Sequence, residues 1–164
     1  MRSSGAALVV ATVLASCGSP TTHLDNGAAT VVEVVDGDTI VARFGSRSET
    51  VRLIGIDTPE TVHPDRPVEC FGPEATAFIT ELIPPGTSIR IRRDVVARDH
   101  FDRLLGYVYR ASDGMFVNDE IVRHGYGTTL SIAPNEAFSA VFVASAIDAK
   151  RADLGVWTAC ADQR

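Results

Sequence analysis

The sequence points to a small α+β protein built on one closed β-barrel of five strands, with three helices outside it. Three observations carry this. Short β-branched runs separated by turn residues recur through the first half, and helical periods enter only after the third run. The 164 residues suffice for one domain of roughly 100–150 residues with a short appendage.

Thr30–Val35 and Thr39–Phe44 flank Asp36-Gly37-Asp38, a strong hairpin signal, and Glu49–Ile56 reads as a third strand. Gly72-Pro73-Glu74 opens a helix that runs to about Ile83. Proline stands in the first turn, an acid faces the positive dipole end, and Pro84-Pro85-Gly86 is the stop. Ser88–Asp94 alternates Ile89 and Ile91 with Arg90 and Arg92, a half-buried strand with one basic face, and Leu104–Tyr109 is the fifth strand. Asn118 is expected to cap a short helix ending at Gly125, and Asn135 a longer one to about Ala152. Phe138, Val141, Phe142 and Ser145 fall on the core side of that last helix. Five strands in one closed sheet, with a helix after the third, suit an OB-like barrel over residues 30–160, leaving 161–164 as a tail.

Ahead of the barrel, residues 1–16 read as an export signal: Arg2 followed by an apolar run, Ala6 to Ala15, too short to span a bilayer. Leu14-Ala15-Ser16-Cys17 resembles the lipobox of bacterial lipoproteins, which predicts lipidation at Cys17 and a flexible tether over 17–29. The expected location is therefore the outer face of the cell membrane, held by the lipid. A plain secretory signal is the alternative. The net charge of −6 excludes a protein that holds nucleic acid by bulk positive charge, but not one that grips phosphate at a few fixed points.

Three clusters can do chemistry: Asp36-Gly37-Asp38-Thr39, the run from Arg52 through Asp57-Thr58-Pro59-Glu60, and Asp99-His100-Phe101-Asp102-Arg103. Asp38, Asp57 and Glu60 fall at strand ends, where carboxylates meeting at a barrel rim would repel unless a cation sat between them. Hard oxygen donors without His or Cys select Ca²⁺ or Mg²⁺ over zinc. Each piece taken alone has a plainer reading. Asp36-Gly37 is a common hairpin turn, Thr58-Pro59-Glu60 is another turn, and Arg103 can simply pair with Asp99 or Asp102.

The combination VVDGDT, VRLIGIDTPET, VECFGPEA and DHFDRLLGYVY, in that order, resembles the staphylococcal nuclease (thermonuclease) family from about Thr30 to Trp157. The resemblance implies an OB-fold barrel with three helices and calcium-dependent hydrolysis of DNA and RNA by a monomer, leaving 3′-phosphate and 5′-hydroxyl ends. Position by position it implies that Asp38, Asp57 and the Thr58 carbonyl hold Ca²⁺. It further implies that Glu60 orients or deprotonates the attacking water and that Arg52 and Arg103 grip the scissile phosphate. His100 and Phe101 stand where the family has a lysine and a tyrosine on a terminal phosphate, Asp102 replaces a glycine, and Thr128–Ala133 lacks the family's paired tyrosines. Asp36 and Asp99 match family acids and read as supporting residues.

With Cys17 assigned to the anchor, Cys70 and Cys160 are an even pair in an exported protein, and compartment and count predict a disulfide between them. Two other functional classes compete with the nuclease: a binding module for single strands or peptides, and a surface-anchored interaction protein with a structural calcium site. Retention of Asp38, Asp57, Glu60, Arg52 and Arg103 together favours the enzyme.

Overall fold

The computed structural model describes residues 27–62 and 67–161. Cys17, the stretch expected to be an export signal and the part of the expected tether before Gly27 lie outside the described residues, as does His63. Strands β1 (Gly27–Asp36), β2 (Thr39–Phe44) and β3 (Arg47–Leu53) form an antiparallel meander, and a short β4 (Gly55–Asp57) follows. After α1 (Gly72–Leu82) come β5 (Ser88–Arg92) and β6 (Leu104–Arg110), then α2 (Val117–Arg123), β7 (Thr128–Leu130), α3 (Ser139–Arg151) and a one-turn α4 (Val156–Ala159). The barrel closes in the order β1-β2-β3-β6-β5, with β5 back on β1, and β4 and β7 form a separate two-stranded sheet. This is the expected five-stranded α+β barrel.

The strand pairings follow from side-chain alternation. In β5, Ile89 and Ile91 are buried while Ser88, Arg90 and Arg92 are exposed, which fixes one register against β1 and one against β6. Ile40, Val51, Leu53 and Val108 complete the barrel interior, each with no exposed surface. At ~25 cal/mol per Å² of apolar area, each such side chain contributes about 1.5–3 kcal/mol. Ile79 of α1, Ile121 of α2 and Phe142 of α3 are equally buried against this core. Cys70, before α1, is bonded to Cys160, after α4. The closure spans a sequence separation of 90, for which the chain-entropy model gives about 4–5 kcal/mol.

Several elements differ from expectation. The run Glu49–Ile56 is not one strand: β3 ends at Leu53, and Gly55 at φ +82° turns the chain toward β7. A Cβ on Gly55 would lie 2.3 Å from a ring carbon of Phe142, so glycine is required for both conformation and space. Neither asparagine is a cap. The residues preceding α2 and α3 are Phe116 and Phe138, with no side-chain capping bond, and α3 begins at Ser139, later than read. Asn118 and Asn135 instead brace distant backbone. Asn118 Oδ1 accepts from the Val108 amide at 2.8 Å and its Nδ2 donates to the Ile54 carbonyl at 2.9 Å. Asn135 exchanges two such bonds with Val96, at 2.8 and 2.9 Å. Val141 is exposed on α3, and Ser145 bonds Asp119 there. The barrel's first strand starts at Gly27, three residues inside the stretch read as tether, and α4 makes a fourth helix.

Candidate active site

The site begins with the β1–β2 turn. Asp36 Oδ1 accepts from the Asp38 amide at 3.1 Å, holding the reversal tight and placing Asp38 at the mouth of β2. Asp38 is almost fully buried. Its Oδ1 accepts from the Thr39 hydroxyl at 3.1 Å, and its Oδ2 accepts from the Thr58 amide at 3.0 Å and the Thr58 hydroxyl at 3.1 Å. Thr58 follows β4, so this cluster joins two chain segments twenty residues apart in sequence.

Arg52 lies on β3, opposite Thr39 of β2 and Leu105 of β6. One terminal nitrogen, Nη1, donates to the Leu53 carbonyl at 2.5 Å and the Ile56 carbonyl at 3.1 Å. The other, Nη2, sits 3.0 Å from both Asp38 Oδ2 and Asp57 Oδ1. The planar fork thus spans the two carboxylates and pins the β3–β4 joint beneath them.

The Asp38 carboxyl is pushed up to about 7, chiefly by burial and also by the Asp36 and Asp57 charges, against Arg52 and the Thr58 amide. Asp57 moves in the same direction, again first by burial, then by the charges of Glu69, Glu60 and Asp36, against Arg52. Burial, opposed by a single guanidinium, thus leaves both carboxyls above the ordinary range, a setting in which a bound cation would stabilise their charged forms. The donors are carboxylate and main-chain oxygens, a hard set that fits Ca²⁺. Among the described residues no three His, Cys, Asp or Glu side chains converge as a ready cage, so a cation on Asp38 and Asp57 would be completed by carbonyl oxygen and water.

Arg103 lines the cavity that Arg52 also lines. Its Nε donates to Asp99 Oδ2 at 2.7 Å and its amide to Asp99 Oδ1 at 2.9 Å, so the plain pairing with Asp99 is present. Burial tends to raise the Asp99 carboxyl, but these bonds, the Arg103 charge and the Phe101 amide bring it below the usual carboxylate range. Asp102 takes the left-handed φ of +64°, so the turn is made without glycine. Pairing with Asp99 does not remove Arg103 from the cleft. Arg52 and Arg103 line one cavity of about 360 Å³, whose apolar lining includes Ile54, Ile56, Leu130 and Ile132. His100 also lines it, its ring tilted against that of Phe101 with centroids 3.7 Å apart.

Glu60 is on the loop after β4, where its Oε1 accepts from the Thr61 and Val62 amides at 2.9 and 2.8 Å. Its charge is felt at Asp57. The residues singled out in the sequence thus assemble as one group: Asp38, Asp57, Thr58 and Arg52 in direct contact, Arg103 across the cavity, Glu60 on the adjoining loop. Two residues were missed. Asn118 carried a polar signal in an apolar stretch, misread as a cap; Glu69 carried only its charge.

The class so defined is a closed OB-type barrel with two arginines lining one cleft and an acidic pair joined to the first of them. Residues 50–159 match the family model described as Staphylococcal nuclease homologue, and the chain belongs to that family. It is 33% identical over 127 residues to the thermonuclease of Staphylococcus intermedius, covering 77% of this chain and 74% of that protein. It is 30% identical over 128 residues to the thermonuclease of Staphylococcus hyicus, at 78% and 74% coverage. It is also 36% identical over 135 residues to Endonuclease YhcR of Bacillus subtilis, of which the match spans 11%, and 77% of this chain.

Proposed function

We propose that the protein is a calcium-dependent nuclease that hydrolyses phosphodiester bonds of DNA and RNA, leaving 3′-phosphate and 5′-hydroxyl ends. The observation that carries the reading is Arg52, shared between Asp38 and Asp57 at 3.0 Å while lining the same cavity as Arg103. In this reading Asp38, Asp57 and the Thr58 carbonyl hold Ca²⁺, which supplies Lewis-acid polarisation of the phosphate and orders water. Arg52 and Arg103 take the equatorial phosphate oxygens, where negative charge accumulates as the attacking oxygen closes in. Glu60 positions the water or accepts its proton, and the apolar cavity lining seats the sugar and base beside the scissile group. Export with Cys17 lipidated, placing a monomer at the outer face of the cell membrane, belongs to the same proposal; secretion without the anchor is its alternative.

The test incubates the soluble chain from residue 18 with closed circular DNA, with calcium or with chelator, beside Arg52→Gln. Cleavage is expected with calcium alone, and the variant is expected to lose on the order of 10²–10³ in rate. Cleavage in chelator, or full activity of the variant, rejects the mechanism.

A further inference from the structure

The Glu60 segment is held from behind by a residue that the reaction scheme does not use. Glu69 Oε2 accepts from the Glu60 amide at 3.0 Å, and the Glu69 amide donates back to the Glu60 carbonyl at 2.9 Å. This reciprocal pair joins the Glu60 and Glu69 segments. The joint is itself fixed to the body of the protein. The Gly72 amide, at the start of α1, donates to the Glu69 carbonyl at 3.1 Å, and the next residue, Cys70, is bonded to Cys160.

Packing closes the other side. A Cβ on Gly72 would lie 2.6 Å from Thr61 Cγ2, 3.1 Å from the Pro59 carbonyl oxygen and 3.2 Å from that of Glu60. Only glycine lets α1 begin so close to the Pro59–Thr61 segment. The Glu60 side chain follows its main chain rigidly, because Oε1 is tied to the Thr61 and Val62 amides. Whatever fixes the Glu60 backbone therefore fixes its carboxylate. Glu69 lines the same groove as Asp57 and Thr58.

We propose that Glu69 is a positioning residue for Glu60: its carboxylate, by a charge-assisted bond to the Glu60 amide, holds the Glu60 segment against the start of α1 and so sets where the Glu60 carboxylate stands on the loop after β4. The inference rests on the reading of Glu60 as the residue that handles the attacking water. It differs from a general stabilising role because it acts on the turnover step and through an acceptor oxygen.

The test compares the oxidised chain with its Glu69→Ala, Glu69→Gln and Glu60→Gln variants, at saturating calcium on DNA. Exchange of the Glu60 amide is followed separately in the metal-free proteins. Glu69→Ala is expected to lower kcat by about 10–100-fold with KM changed less than about twofold, the size expected of a small misplacement at the reacting centre. Its Glu60 amide is expected to exchange at least about tenfold faster. Glu69→Gln keeps an acceptor oxygen and is expected to retain kcat within about threefold, with the amide still protected. Should the alanine variant fail to fold, Glu69→Asp, too short to reach the amide, takes its place with the same expected loss. Unchanged kcat in Glu69→Ala, or equal losses in Glu69→Gln and Glu69→Ala, overturns the proposal. Full activity of Glu60→Gln with a normally protected Glu60 amide overturns the reading beneath it instead.

Discussion

Replacing Asn118 by alanine isolates the brace that joins the barrel to the site. The side chain has no exposed surface, and it satisfies the Val108 amide at 2.8 Å and the Ile54 carbonyl at 2.9 Å, with a longer contact to the Gly106 carbonyl at 3.5 Å. Alanine leaves both close partners without a bond in a dry interior. Each unsatisfied group costs about 1–3 kcal/mol, so the variant is expected to lose about 4 kcal/mol, within a range of about 2–6. For a domain of this size that is a fall of roughly 10–20 °C in Tm. Urea unfolding monitored by fluorescence and circular dichroism gives the free energy, and amide exchange at Val108 reads the broken bond directly. Ile54 precedes the Gly55 turn that aims Asp57 at Arg52, so activity measured in the cold, where the variant is folded, is expected to fall as well. A loss below about 1 kcal/mol with the Val108 amide still protected would refute the reasoning, because two buried groups would then have found other partners.

Two further outcomes follow from the backbone and from charge. Gly55→Ala is expected to destabilise by more than about 2 kcal/mol, because the new methyl meets the Phe142 ring at 2.3 Å, whereas Gly45→Ala, with open space at φ +59°, is expected to lose only about 1 kcal/mol; equal effects in thermal melts would argue against the contact. The folded Asp38 carboxyl titrates at about 7 against an ordinary 3.8, so its contribution to stability is full below about pH 4 and is lost as pH rises through 7. In chelator at pH 8, Asp38→Asn is therefore expected to be more stable than the parent by about 1–3 kcal/mol, while losing activity with calcium. Parallel urea midpoints for the two proteins across pH 4.5–8 would contradict the assignment.

What was legible in the sequence, and what was not, separates by distance along the chain. The β1–β2 hairpin, the start of α1 and the alternation of β5 are signalled by neighbours within a few residues, and each was read correctly. That Arg52, Asp38 and Asp57 come together was also legible, because the motifs that carry them stand in the order and spacing of the family they resemble. Asn118 and Asn135 were misread for the same reason in reverse. A capping preference is a local rule, whereas their partners are 10, 64 and 39 residues away. β4 and β7 are three residues each, below the length at which alternation can be recognised, and they exist as strands only because Gly55 turns one toward the other. Glu69 reads as one more loop acid until the fold brings its carboxylate to the Glu60 amide.

One pairing in the barrel is parallel: β3 runs beside β6, with Arg52 level with Leu105. Parallel neighbours cannot be joined by a tight turn, so the two arginines of the cleft are contributed by stretches about fifty residues apart, with a helix and two strands laid down in between. Closing so long a loop is slow, and it cannot start until the second stretch exists. A chain emerging from a ribosome or a translocation channel carries Arg52 early but no second fork until β6 has been delivered. Competence to grip phosphate is thus a late event in the life of the chain, timed by topology alone.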